Sequence, residues 1–328
     1  MRLIKVLLAC LLLNLFAFAD DTQQNKQVLK NIYDNVILKD IKKAVNDSKI
    51  LEVSIKEKDI QKTKLAFTNL IKSWKSVEAF YILGDINEDY IDTPRYIDIF
   101  HNGNEDITEQ LDRAINSSDS IRIVLFKNSL KSINALEYIL YAKDIKNERV
   151  NQIALTINSK IKSYLEEIQE QYISSEEYFL SNLKKANSFV INALIQNTYK
   201  LKEWRIGDVM GATKKYEGKP DNKRAEYFLS KNSANAIESI LLTYKKNFNS
   251  KKFENYGDYL IKAIQENQIK DLRDSIDKSL VLVKNIKNDD FSNVDKLYKE
   301  ISNIHTILFL DIIEDLSINA KIIEADGD

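Results

Sequence analysis

Residues 129–141 read SLKSINALEYILY. Wound at about 100° per residue, the stretch puts Lys131, Ala135 and Tyr138 on one side. Leu130, Ile133, Leu136 and Leu140 fill the other side, joined by Phe126 just upstream. Glu137 falls between Phe126 and Leu130, inside the apolar arc, and Asn134 lies at its edge one turn earlier. A carboxylate facing a core must be paired, hydrogen-bonded, metal-bound or protonated. Something is therefore expected to meet Glu137. A structural ion pair or hydrogen bond is the plain reading, and a ligand or metal site is the sharper one. Arg95 and Arg205 are the candidates to meet Glu137 or an anionic ligand.

The same helical spacing recurs along the chain. Leu29, Ile32, Tyr33 and Val36 form one series, and Leu70, Ile71 and Trp74 belong to another. Further series run from Ile153 to Ile168 and from Ile301 to Ile312. No alternating run reads as a strand. The seven glycines and two prolines cluster mainly in two places, residues 84–103 and 205–220, which read as long loops. Helices are expected near 22–48, 56–83, 105–116, 119–143, 147–184, 187–205, 230–246, 255–287 and 291–316. The fold class is all-α, with two helical bundles side by side, residues 20–145 and 146–328.

The first 19 residues read as a secretory signal: Arg2 and Lys5, an apolar run, then Ala17-Phe18-Ala19 as a cleavage site. A lipoprotein box ending at Cys10 has too few apolar residues before it. Export to the periplasm is expected, with no transmembrane segment in the mature chain. Cleavage after Ala19 leaves 46 basic against 49 acidic residues, a balance that excludes an electrostatic footprint for nucleic acid. Cys10 is the single cysteine, so the mature chain has neither disulfide nor thiolate ligand.

SINALEYILY resembles the signature helix of the imelysin family, whose motif is Gly-x-His-x-x-Glu followed by Tyr and aliphatic residues. Ser132 stands for the glycine, Asn134 for the histidine and Glu137 for the glutamate. The segments SWKSVEAFYILGD and RAEYFLSKNS, and the terminal Asp326-Gly327-Asp328, are similar to other family stretches. The resemblance implies a two-domain helical protein of the bacterial envelope, linked to iron or metal acquisition and classed with metallopeptidases. It implies a cleft between the halves that contains Glu137 and Asn134, with Trp74, Ser230 and Asp326 as further candidates. The implied metal, iron or another divalent cation, would rest on Glu137.

The residues themselves limit that chemistry. Asn134 is neutral and a poor zinc ligand, and only His101 and His305 could supply imidazole. There is no H-E-x-x-H, and no thiol or well-placed histidine for a nucleophile. Trp74 reads as core, Ser230 as a helix cap or its neighbour, and His305 as a core histidine. Binding of a small ligand, a metal ion or an envelope protein is expected instead of catalysis. The alternatives are an imelysin-type metallopeptidase and a non-catalytic envelope protein that binds a partner.

Overall fold

The computed structural model describes residues 22–102, 106–263 and 266–316. The signal-like segment with Cys10 and the terminal Asp326 lie outside the described residues. Among those residues there are helices and turns and no strand, and no helix is long and apolar enough to cross a membrane.

The first helix, α1, runs over residues 22–56, with a π-turn at Tyr33–Ile37. Next come α2 (Ile60–Glu78), α3 (Ile107–Asn116), α4 (Ile133–Ala142) and α5 (Glu148–Ser181). Then α6 (Leu183–Lys200) continues without a break through a π-segment, Leu201–Gly207, to Met210. The last four are α7 (Ser233–Asn249), α8 (Tyr256–Ala263), α9 (Glu266–Lys284) and α10 (Asp295–Thr306). Side-chain caps set several of these starts. Asp59 accepts from Lys62 N at the head of α2, and Asn147 accepts from Arg149 N and Val150 N at the head of α5.

On one side α1 packs along both α2 and α5, with α4 against α5; on the other, α9 packs between α7 and α10. The contact of α2 with α7 joins the two sides. Their apolar faces make one continuous buried cluster, from Val28 to Ile312. Tyr172 of α5 anchors the loop after α2, its hydroxyl accepting from Ile82 N (3.0 Å) and Leu83 N (3.1 Å).

The first helix, expected to end at residue 48, runs on to Lys56, and among the other boundaries that differ three bear on the site. The helix expected over 119–143 is one turn at Ile121–Val124, an irregular stretch, and then α4. Ser132 stops it from being continuous: its extended backbone (ψ 169°) and its hydroxyl, which accepts from Ala135 N, start a new helix there. Phe126 consequently lies outside the core, 68 % exposed. The helix expected to reach residue 83 ends at Glu78. The loop expected from residue 205 begins after Met210, because the π-segment carries α6 past Arg205.

Candidate functional site

The last turn of α2 carries Trp74, Lys75 and Glu78 into the middle of the molecule. Lys75 is 0 % exposed. Its ammonium lies 2.6 Å from Glu78 Oε2, 2.6 Å from Asp98 Oδ2 and 2.5 Å from Glu226 Oε1. Asp98 comes from the first loop, after the turn Thr93–Ile97, and Glu226 from the segment before α7. Arg205, brought inward by the π-segment of α6, donates from Nε to Glu226 Oε2 (2.8 Å). Its Nη2 donates to Glu226 Oε1 (3.1 Å) and to Glu78 Oε1 (3.1 Å) and Oε2 (2.9 Å). Tyr227 and Trp74 both donate to Asp98 Oδ2, at 2.7 and 3.2 Å, and Phe100 N donates to Asp98 Oδ1.

Burial would push the Glu78 carboxyl up, but Arg205 and Lys75 outweigh it and hold the group down at about 2. For Glu226 burial wins, helped by the neighbouring Asp98 and Glu78, and its carboxyl is pushed up against the pull of Arg205 and Lys75. Burial disfavours the charge on Lys75 and Arg205, yet the surrounding carboxylates raise both, so each stays a cation.

Glu137 lies beside this cluster, 5 % exposed. Its partner is neither Arg95 nor Arg205, the candidates suggested by sequence. Its Oε1 accepts from Ser230 N (2.9 Å) and Ser230 Oγ (2.6 Å). Arg205 is spent on Glu226 and Glu78, and Arg95 is an exposed residue 3.4 Å from Asp92. With only neutral donors, burial pushes the Glu137 carboxyl up to about 7, against the two Ser230 hydrogen bonds and with added repulsion from Asp98 and Glu226. Asn134 Oδ1 accepts from Ile99 N (2.9 Å), which pins the loop next to Asp98. Ser230 is not the cap of α7. That helix starts at Ser233, where Asp289 accepts from Ser233 N and Ala234 N.

A cleft of about 320 Å³ opens over the cluster, with Glu78 and Asp98 in its floor. Lys200, Arg95, Gln196, Asn102 and Trp204 are among its walls. Of the sequence-picked residues, Arg95 lines this cleft; Glu137, Asn134, Trp74, Arg205 and Ser230 do not. Lys200 is half-buried and makes no ion pair among the described residues. Its ammonium sits 5.4 Å from the Trp204 ring centre. Trp204 is stacked on His101 (4.7 Å between centroids, 4° between planes), whose Nε2 is 3.2 Å from Asp208 Oδ2. Burial lowers the Lys200 ammonium, and Arg205, Arg95 and Lys75 add to that effect against Glu78.

One oxygen each from Glu78, Asp98 and Glu226 lie within 4.8 Å of one another, a spacing that could hold a metal ion. The residues present do not fit one. The point between the three oxygens belongs to the Lys75 ammonium, and the site has no imidazole. Glu137, the metal ligand suggested by the signature helix, is outside this trio, and Asn134 is engaged with the backbone.

Sequence reading missed Lys75, Glu78, Asp98, Glu226 and Lys200. The first two carried a signal, since Lys75 follows Trp74 on the face that also holds Ile71, and Glu78 is one turn on. Asp98 sits between Ile97 and Ile99, and Glu226 between Ala225 and Tyr227, flanks that also mark burial.

Comparison with protein families matches residues 32–304 to the imelysin profile, described as Peptidase_M75. Comparison with curated proteins returns no match. Among solved structures, the chain is similar to an imelysin-like protein from Psychrobacter arcticum 273-4. The two share 15 % identity over 92 % of this chain and 98 % of that one, with a TM-score of 0.76. It is also similar to a protein described as a candidate iron-regulated protein A precursor from Parabacteroides distasonis ATCC 8503. That match has 12 % identity, covers 87 % and 93 % of the two chains and has a TM-score of 0.66.

Proposed function

This chain belongs to the imelysin family, and from that premise we propose that it is a non-catalytic binding protein of the cell envelope. Its ligand is a small organic anion that enters the cleft over the buried charge cluster, between the first loop and α6. The observation that carries this reading is Lys200. It is a cation held in place by Trp204, drawn partly out of water, and without an ion-pair partner among the described residues. A carboxylate arriving there would supply the charge that burial has left unmatched. Arg95 at the rim adds a second cation, and the size suits a small molecule.

Binding is favoured over hydrolysis because the site's carboxylates, Glu78, Asp98 and Glu226, are spent on Lys75 and Arg205. Glu137, the group best suited by its acidity to act as a base near neutral pH, is hydrogen-bonded to Ser230 and does not line the cleft. The signal-like first residues support export. The description of the Parabacteroides neighbour as iron-regulated supports a place in iron acquisition. A carboxylate ligand fits that process as a free acid or as its ferric complex.

Titration calorimetry with citrate and with phosphate, each with and without ferric iron, tests this. Citrate should bind, Lys200→Ala should weaken it at least tenfold, and Lys200→Arg should retain it. Tighter binding of the ferric complex assigns the chelate, and equal binding assigns the free acid. No heat from any of the four solutions, or binding indifferent to Lys200→Ala, overturns the reading.

A further inference from the structure

The cluster beneath the cleft resembles a cation site already filled. The Lys75 ammonium stands 2.5 to 2.6 Å from one oxygen of each of three carboxylates. Calcium–oxygen bonds span roughly 2.3–2.6 Å, so the nitrogen is where a hard cation would be. We propose that the chain supplies its own cation here: Lys75 takes the place of a divalent ion among Glu78, Asp98 and Glu226, and removing it opens the trio to such an ion.

Acceptor and charge counts agree. All six carboxylate oxygens of the trio already accept a hydrogen bond. Arg205 Nη1 is buried with no acceptor left for it. The wild-type cluster thus has donors to spare and no free oxygen to offer a metal. With the acids ionised, three negative charges face Lys75 and Arg205, a net of −1, and a divalent ion would leave a buried +1. Without Lys75 the net is −2, the charge a divalent ion cancels. The ligands would all be oxygens, which selects calcium, magnesium or manganese over zinc. Lys75→Ala also clears the lysine stem, leaving room for waters to complete the coordination.

This inference goes beyond the cleft reading and does not depend on it. The test uses the full chain and manganese, followed by equilibrium dialysis and thermal unfolding. Wild type should bind no manganese at this site and show no shift in Tm. Lys75→Ala should unfold at lower temperature in chelator, bind one equivalent of manganese and recover several degrees of Tm with it. Lys75→Ala combined with Glu226→Gln should lose that recovery. Lys75→Met, whose stem still fills the space, should be destabilised without metal rescue. If Lys75→Ala folds only when refolded with manganese, the proposal stands. One equivalent bound by wild type and lost in Glu226→Gln would overturn it. So would a Lys75→Ala protein that manganese neither binds nor rescues, including one that folds in neither condition.

Discussion

Glu78 and Glu137 belong to one interior yet ionise in opposite senses. Glu78 meets a guanidinium and an ammonium and is held at about 2; Glu137 meets a serine and is pushed up to about 7. Burial acts on both. The formal charge of the partner decides the outcome, because two neutral hydrogen bonds do not replace the hydration a buried carboxylate has lost. The two acids therefore contribute to stability on opposite sides of pH 4.5, their shared reference value.

The sharpest way to break the contrast is to remove the guanidinium. Arg205→Met leaves Glu226 without its Nε partner and Glu78 with Lys75 alone, and a buried ion-pair network broken on one side loses about 3–5 kcal/mol. Urea unfolding at pH 7 should show a loss of that size. A loss under about 1 kcal/mol would put the cluster on a par with surface ion pairs.

The next test sharpens it. The folded-state pKa of Glu137 is raised, so the folded protein holds the proton more tightly than the unfolded chain does. The stabilisation is complete below pH 4.5 and is lost as pH rises through about 7. Relative to Glu137→Gln, which cannot ionise, wild type should lose about 3 kcal/mol across that window and then level off. Glu78 acts in reverse, contributing above pH 4.5 and losing its contribution as pH falls toward about 2. If the stability of wild type relative to Glu137→Gln rises with pH instead, Glu137 has a cationic partner.

Much of the fold was legible because apolar spacing alone places α1, α2, α5 and α10. The broken helix over 119–143 was not, because Ser132 reads as a tolerable helix residue until its hydroxyl is seen to cap α4. The site was legible at Glu137 for the same reason as the fold, an acid out of place on an apolar arc. Its partner was not, since the wheel says that a carboxylate needs company but not whether Ser230 or Arg205 arrives. Lys75 lay on an equally apolar face next to Trp74. A lysine with a long apolar stem, however, is ordinarily assumed to reach solvent, so its burial showed only once Asp98 and Glu226 were in place around it.

The smallest expected effect concerns Asn134, and it links the two acids. Asn134 is one turn before Glu137 on α4, and its Oδ1 accepts from Ile99 N in the residue after Asp98. The amide thus holds the loop that delivers Asp98 to Lys75, while the same helix presents Glu137 to Ser230. Asn134→Ala removes the acceptor and leaves a part-buried N–H unmatched, a cost of about 1–2 kcal/mol. The loss should be local first. Hydrogen exchange at the Ile99 amide should speed up by more than exchange in α2, whose own backbone bonds are untouched. If Ile99 keeps its wild-type protection, the loop is held by the Asp98 contacts to Tyr227, Trp74 and Lys75, and the signature helix serves Glu137 without steering the cluster beside it.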